Sequence, residues 1–149
     1  MDALRISSSA FEDNGSIPVK YTCDGADVNP PLRIEGVPAG ARSLALIVDD
    51  PDAPRGIWVH WVVWNIDPKT EEIKGNTVPR GSIQGVNDFV KRDYGGPCPP
   101  SGTHRYFFKL YALDALLNLS GDAGKAGLEK AMNGHVLAQA QIIGLYKRR

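Results

Sequence analysis

The chain has 149 residues, 42% of them hydrophobic and 23% charged, which supplies the core of a single domain and excludes wholesale disorder. The 17 Lys and Arg balance the 17 Asp and Glu, so no bulk positive field is available to hold nucleic acid or an anionic membrane. The 16 glycines and 11 prolines, about half as many again as in an average protein, predict many turns, short strands and no long helix.

Residues 1–9 lack the basic-then-apolar pattern of a secretory signal. The longest nearly uncharged run, residues 56–66, is shorter than the ~18 apolar residues that suggest a membrane span and carries His60 and Asn65. The expected location is the cytoplasm, with no integral membrane contact and with Cys23 and Cys98 reduced. A redox-responsive pair is the alternative for these two cysteines, which only their distance can decide.

Taken in chain order, residues 19–22 form a weak strand candidate, followed by turn formers at Cys23-Asp-Gly-Ala-Asp and Asn29-Pro-Pro. Residues 32–35 are a second weak strand. Residues 43–48 are a continuous apolar run ending in Asp49 and Asp50. The loop Pro51-Asp-Ala-Pro-Arg-Gly56 leads into residues 57–66, rich in β-branched and aromatic side chains and predicted to be a strand buried on both faces. Residues 95–102, Gly-Gly-Pro-Cys-Pro-Pro-Ser-Gly, exclude helix and central strand. They deliver the chain to a strand over 106–113. Leu128, Ala131, Met132 and His135 recur at helical spacing, predicting one helix over about 122–133 with Gly134 beyond its end. Gly124 and Gly127 weaken it by roughly 1 kcal/mol each relative to alanine, so it relies on docking. A weak strand over 138–146 completes a mostly β domain, most simply a sandwich with one peripheral helix.

Three places crowd polar or rigid residues where plain strands would not. Asp49-Asp50-Pro51-Asp52-Ala53-Pro54 places three carboxylates on a stiff loop at a strand end, where binding groups are commonly mounted. His60 lies inside the buried strand, sharing a face with Trp58, Val62 and Trp64 by simple alternation. An aspartate from the nearby loop would fix its tautomer and favour its charged form, whereas a backbone partner would make it a core histidine. The third place, residues 95–106, brings His104, Arg105 and Tyr106 to the mouth of a strand behind a proline-rich loop. Imidazole, guanidinium and phenol make a donor set for phosphate or carboxylate, and nearby glycines let the backbone approach the anion.

Cys23-Asp-Gly, Asn29-Pro-Pro-Leu32, Asp50-Pro-Asp-Ala-Pro54, Trp58-Val-His-Trp-Val62 and the stretch Gly96-Pro-Cys-Pro-Pro100 to Gly102-Thr-His-Arg-Tyr106 together resemble the phosphatidylethanolamine-binding protein family, in its bacterial and archaeal Raf-kinase-inhibitor-like branch. The resemblance spans residues 11–146, with the motifs in the same order. It implies an antiparallel β-sandwich with a small anion pocket at one end, lined by Asp50, Asp52, Pro54, His60, Gly96, Pro97, His104 and Tyr106. Arg105 matches too, as a pocket residue or a brace for the aspartate loop. The carboxylates would hold His60 and His104 as charged donors, and one left over could meet a ligand ammonium. The implied function is non-catalytic binding of a small anionic or phosphorylated ligand, with no cofactor. A protease or kinase is the protein partner it suggests, because the family includes inhibitors of both. The chain ends shortly after Tyr146, without the additional C-terminal helix of the animal members, whose lipid specificity and kinase inhibition are not carried over. The resemblance leans toward a homodimer, with the aromatic strand 57–66 able to feed an interface or the core.

Two other chemistries fit the same residues. A hydrolase would use Ser101 or Cys98 as nucleophile, His104 or His60 as base and Asp50 or Asp52 as orienter, but no Gly-x-Ser-x-Gly elbow is present. A metal site would draw on His60, His104 and Asp50 or Asp52, although the three histidines include no i, i+4 pair.

Overall fold

The computed structural model describes residues 3–148; Met1, Asp2 and Arg149, parts of the two chain ends read above, lie outside the described residues. In chain order the elements are β1 (Arg5–Ser7), β2 (Gly15–Ser16), a 3-10 turn (Val19–Tyr21), β3 (Leu32–Glu35), β4 (Ser43–Asp50), β5 (Trp58–Ile66), β6 (Glu72–Ile73), β7 (Ile83–Gln84), β8 (His104–Leu113), α1 (Lys125–Met132) and β9 (Val136–Tyr146). They build a small sheet of order β1-β3-β6 and a larger one of order β2-β9-β8-β4-β5-β7. The protein is mostly β with one helix.

The three apolar runs form the centre of the large sheet. Side chains alternate across a strand, so Leu44, Leu46 and Val48 of β4 join Phe108 and Leu110 of β8 on one face, against Ile6, Leu32, Ile34 and Ile73 of the small sheet. Ala45 and Ile47 point the other way and pack with Leu113 at the end of β8 and with Leu117, Leu128 and Met132, from α1 and the segment leading to it. The helix is the docked, peripheral one expected, but it starts at Lys125. Gly134 at φ 84° turns the chain out of it, leaving His135 beyond the helix, bonded through Nδ1 to Asp114 at 2.8 Å.

The structure corrects or refines four expectations. Residues 19–21 form the 3-10 turn, in which Tyr21 N–H donates to the Pro18 carbonyl. Pairing is not wholly antiparallel, because β2 runs parallel to β9 at Gly15–Gly144 and Ser16–Leu145. The aromatic strand, left open between core and interface by its sequence, feeds the core through Trp61 and Trp64, both fully buried, with indole N–H groups donating to Gln84 Oε1 and the Leu119 carbonyl. Lastly, Cys23 and Cys98 are joined by a disulfide that closes a separation of 75 residues, so neither is a free thiol.

β5 departs from simple alternation at two bulges. Between the pairs Val48–Trp61 and Asp49–Val59, one residue too many lies on β5, and between Leu46–Val63 and Leu44–Ile66 there is another. Asn65, at φ 55°, sits in the second bulge, its amide holding the Leu117 backbone in both directions. The first bulge surrounds His60. An extra residue re-aims side chains beside it, so Trp61 and Val63 face the small sheet while Val59, Val62 and Trp64 face the helix.

Candidate functional site

The first bulge decides where His60 points. The ring does not share a face with Val62 and Trp64, as alternation predicts; it stands edge-on to Tyr106 with ring centroids 5.2 Å apart, at the end of the sheet where β4 and β5 run into loops. With Trp58 it enters a cavity of about 240 Å³ whose wall also includes Asp50, Pro54, Phe89, Cys98, His104 and Tyr106. The acidic loop and the imidazole-bearing strands therefore meet in one hollow.

His104 opens β8, and its Nδ1 lies 2.6 Å from Asp50 Oδ2 at the end of β4, both side chains being buried. The second oxygen, Asp50 Oδ1, accepts from the Asp52 N–H at 2.7 Å. A carboxylate accepting on one side from a turn amide and on the other from an imidazole is fixed in place, and it fixes the imidazole tautomer with hydrogen on Nδ1. Each oxygen of Asp50 thus already accepts one donor from the fold.

His60 differs. Its Nδ1–H donates to the Gly95 carbonyl at 2.7 Å, and Gly95 N–H donates to the His60 carbonyl at 3.0 Å. Burial lowers its pKa, against the Gly95 carbonyl, Asp50, the Gly96 carbonyl and Asp27, which act in the other direction. The expectation of a charged His60 held by an aspartate is thus corrected: a backbone partner holds a neutral ring. Among the described residues no sealed side-chain nitrogen or oxygen lacks a partner. The remaining nitrogens of the two rings, Nε2 of His60 and of His104, therefore reach open space, and the space both rings line is this cavity. Tyr106 lines it too, its phenol kept protonated because burial pushes its pKa far up.

Other predicted residues stand behind the wall. The three carboxylates of the acidic loop separate. Asp49 turns to the opposite face, where Lys125 Nζ at 2.8 Å and Lys109 Nζ at 3.1 Å meet Oδ2. Asp52 is clasped by Arg105 through Nε at 2.9 Å, an Nη at 2.8 Å and the backbone N–H at 2.9 Å. That clasp lowers the Asp52 pKa to about 2, and Arg105 is the brace of the acidic loop. Gly96 and Pro97 belong to a seam: Gly96 N–H donates to Asp27 Oδ1 at 2.8 Å, and the Pro97 carbonyl accepts from Cys23 N–H at 3.1 Å. A Cβ on Gly96 would lie 2.5 Å from the Tyr21 carbonyl oxygen and 2.9 Å from Thr22 Cα, so only glycine fits there. The disulfide ties the same seam and makes Cys98 part of the wall.

The sequence reading missed Phe89 and did not assign Trp58 to the site. Both rings lie at the cavity lip, 39% and 37% exposed for Trp58 and Phe89, packed edge to face at 5.5 Å. Asn87 holds the Phe89 loop by accepting from Phe89 N–H and Lys91 N–H while donating to the His60 and Asp93 carbonyls. The Phe89 ring rests on Gly95, where a Cβ would come within 2.4 Å of it. An exposed Phe-Val pair in a polar loop was the available signal.

Neither alternative chemistry gains support from this geometry. Cys98 is bonded to Cys23, Ser101 is exposed and absent from the wall, and among the described residues neither imidazole is hydrogen-bonded to a Ser or Cys. Among the described residues no three His, Cys, Asp or Glu side chains converge as a metal would require.

The family model described as phosphatidylethanolamine-binding protein matches residues 7–147. The chain belongs to the phosphatidylethanolamine-binding protein family. A relative in Methanothermobacter thermautotrophicus, named a UPF0098 protein, is 52% identical and is covered over 99% of its length by 97% of this chain. A crystal structure of a phosphatidylethanolamine-binding protein homologue from Chlamydia trachomatis superposes with a TM-score of 0.96 at 38% identity, with both chains fully covered. YbcL of E. coli superposes with a TM-score of 0.92 at 29% identity, over 99% of this chain and all of that one. These two structures share the fold over essentially the whole chain, including the ends of β4, β5 and β8.

Proposed function

We propose that this family member is a non-catalytic receptor for the oxyanion head of a small ligand, phosphate-like in size and charge. The observation that carries the reading is that the rings of His60 and His104 line one cavity with Asp50 and Tyr106, the rest of its wall being mainly apolar, with Pro54, Trp58, Phe89 and Pro99 among it. Binding sites for small ligands combine an apolar wall with a few placed polar groups. When His104 carries a second proton, its Nε2–H and the Tyr106 hydroxyl are donors to an oxyanion, with Asp50 stabilising the imidazolium from behind. Trp58 and Phe89 at the lip suit an apolar substituent on the ligand. Regulation of a protein partner, a protease or a kinase, is the output that the family resemblance suggests, and a cytoplasmic location is part of the same reading. The disulfide weighs against that location in mesophiles, whose cytosol keeps thiols reduced, and fits a hyperthermophile interior.

Titration calorimetry with inorganic phosphate and ethyl phosphate tests the reading. Saturable one-to-one binding that His104→Gln abolishes supports it. Turnover of p-nitrophenyl esters by the purified protein, lost in the same variant, would replace it with the hydrolase reading.

A further inference from the structure

We propose that a second groove, where residues 27–29 meet residues 76–78, 84, 93 and 94, binds a primary ammonium group on a short carbon stem. The groove holds about 270 Å³, and its wall includes Asp27, Asn29, Gln84, Asp93 and Tyr94. It shares no lining residue with the cavity of His60 and His104, so the proposal is independent of the oxyanion reading.

The fold fixes this wall and leaves three acceptors unmet. Asn29 is 5% exposed. Its Nδ2–H donates to the Lys74 carbonyl at 3.3 Å, which orients the amide and leaves Oδ1 without a protein partner. Among the described residues no sealed side-chain oxygen lacks a partner, so Oδ1 opens onto the groove that Asn29 lines. A buried amide oxygen that the fold itself does not satisfy marks a place for a donor from outside. Asp27 uses Oδ1 to accept from Gly96 N–H at 2.8 Å and keeps Oδ2. Asp93 is anchored by its backbone carbonyl, which accepts from Asn87 Nδ2 at 2.7 Å, so its carboxylate is not needed to hold the loop. Among the described residues neither Asp27 nor Asp93 meets a Lys, Arg or His at ion-pairing distance.

Two carboxylates, one amide oxygen and no Lys or Arg in the wall set the charge and the donor count of the ligand. An alkylammonium carries one positive charge and three N–H donors, one for each acceptor. Tyr94 contributes its ring alone, because its hydroxyl donates to the Tyr21 carbonyl at 2.7 Å and stays protonated, its pKa pushed up by burial and then by the charge of Asp27. Val28 and Val78 add apolar surface for the carbon stem. A divalent cation such as calcium asks for about six to eight oxygen ligands, and among the described residues no third His, Cys, Asp or Glu joins the two carboxylates. A quaternary ammonium brings the charge without N–H donors and leaves Asn29 Oδ1 unmet. Free amines and the lysine side chain of a partner protein share the required chemistry.

The test is nitrogen-15 NMR of the intact protein at constant ionic strength, titrated with butylammonium, tetramethylammonium, 1-butanol and calcium. The readouts are the side-chain amides of Asn29 and Gln84 and the Trp61 indole N–H, which donates to Gln84 Oε1 at 2.8 Å. The proposal predicts saturable shifts of these resonances with butylammonium and none with the other three probes. Asp27→Asn keeps an oxygen for Gly96 N–H, and Asp93→Asn changes an exposed residue, so the second variant keeps the test independent of folding. Each should weaken butylammonium binding by about twofold to fivefold, the range of an exposed charge pair. Absence of a saturable shift with butylammonium, an equal response to tetramethylammonium or butanol, saturation by calcium, or unchanged affinity in Asp93→Asn overturns the proposal. A lysine-containing peptide with blocked ends distinguishes the sources. Tighter binding than butylammonium supports the proposal with a partner protein as source, and equal or weaker binding supports it with a free amine.

Discussion

His104 Nδ1 and Asp50 Oδ2 lie 2.6 Å apart across 54 residues of sequence, both side chains buried, and this contact joins the acidic loop to the first residue of β8. It holds the loop, orients the imidazole and leaves the far nitrogen to the cavity. Removing one member of a buried, charge-assisted pair leaves the other unmet. Asp50→Asn should therefore lower unfolding free energy by about 1–3 kcal/mol and weaken phosphate binding as well. Urea denaturation and calorimetry on the same variant check both effects; a loss of binding without any loss of stability would mean that the contact is not structural.

His60 contributes a pH dependence of stability whose sign is fixed by its lowered pKa. The unfolded chain takes up its proton near pH ~6.5, and the folded ring resists protonation until lower pH. Its contribution is therefore fully present above pH ~6.5 and is lost as pH falls toward the folded value, at up to about 1.4 kcal/mol per pH unit. Denaturation midpoints between pH 5 and 8 should flatten in His60→Gln relative to the parent. An unchanged slope would mean that the ring is freely protonated in the fold.

The clasp between Asp52 and Arg105 works in the same direction, at lower pH. Three donors from Arg105 lower the Asp52 pKa to about 2, below its usual 3.8. The stabilisation is present above the ordinary value and lost as pH falls from there to about 2. In Arg105→Leu, which keeps the backbone donor, the carboxyl pKa should rise from about 2 toward its ordinary value, as read by carbon-detected NMR, with the loop over residues 51–56 more mobile. Persistence of the low value would assign it to another donor.

The disulfide closes a separation of 75 residues and, by loop-closure entropy, stabilises the fold by up to about 4 kcal/mol. The Cys23→Ser, Cys98→Ser double variant should lose a large part of this in guanidinium denaturation, and reduction of the parent should reproduce the loss. A variant as stable as the parent would show that the hydrogen bonds Cys23–Pro97 and Gly96–Asp27 close the seam unaided.

How much of this was legible in the sequence depended on whether the signal was local. The apolar runs that became β4, β5 and β8 were legible from their β-branched and aromatic content, although β8 is fully buried on one face only. The loops over residues 51–56 and 95–102 were legible from prolines and glycines. Strands β1, β2, β6 and β7 have only two or three residues each, too few for any period to show. The meeting of Asp50, His60 and His104 in one cavity was expected from the order of motifs. Its details were not, because the bulge at His60 shifts side chains from one face to the other, and a one-residue insertion leaves no trace in composition. Phe89 reached the site through contacts with Gly95 and His60, and Cys23 found Cys98 across half of the chain; distance-dependent facts of that kind have no short-range signature. The assignment of Asp52 and Arg105 to a brace followed from a bidentate geometry that spacing alone does not encode.

The most direct test of the central claim, that His104 and Tyr106 offer donors to an oxyanion in one cavity, is NMR of the histidine rings during titration with ethyl phosphate. The account predicts saturable shifts in the Nε2 resonances of both His60 and His104, with His135, which lies outside the cavity and pairs with Asp114, unchanged. Saturable binding that leaves both cavity rings unmoved, or that moves His135 instead, would contradict it.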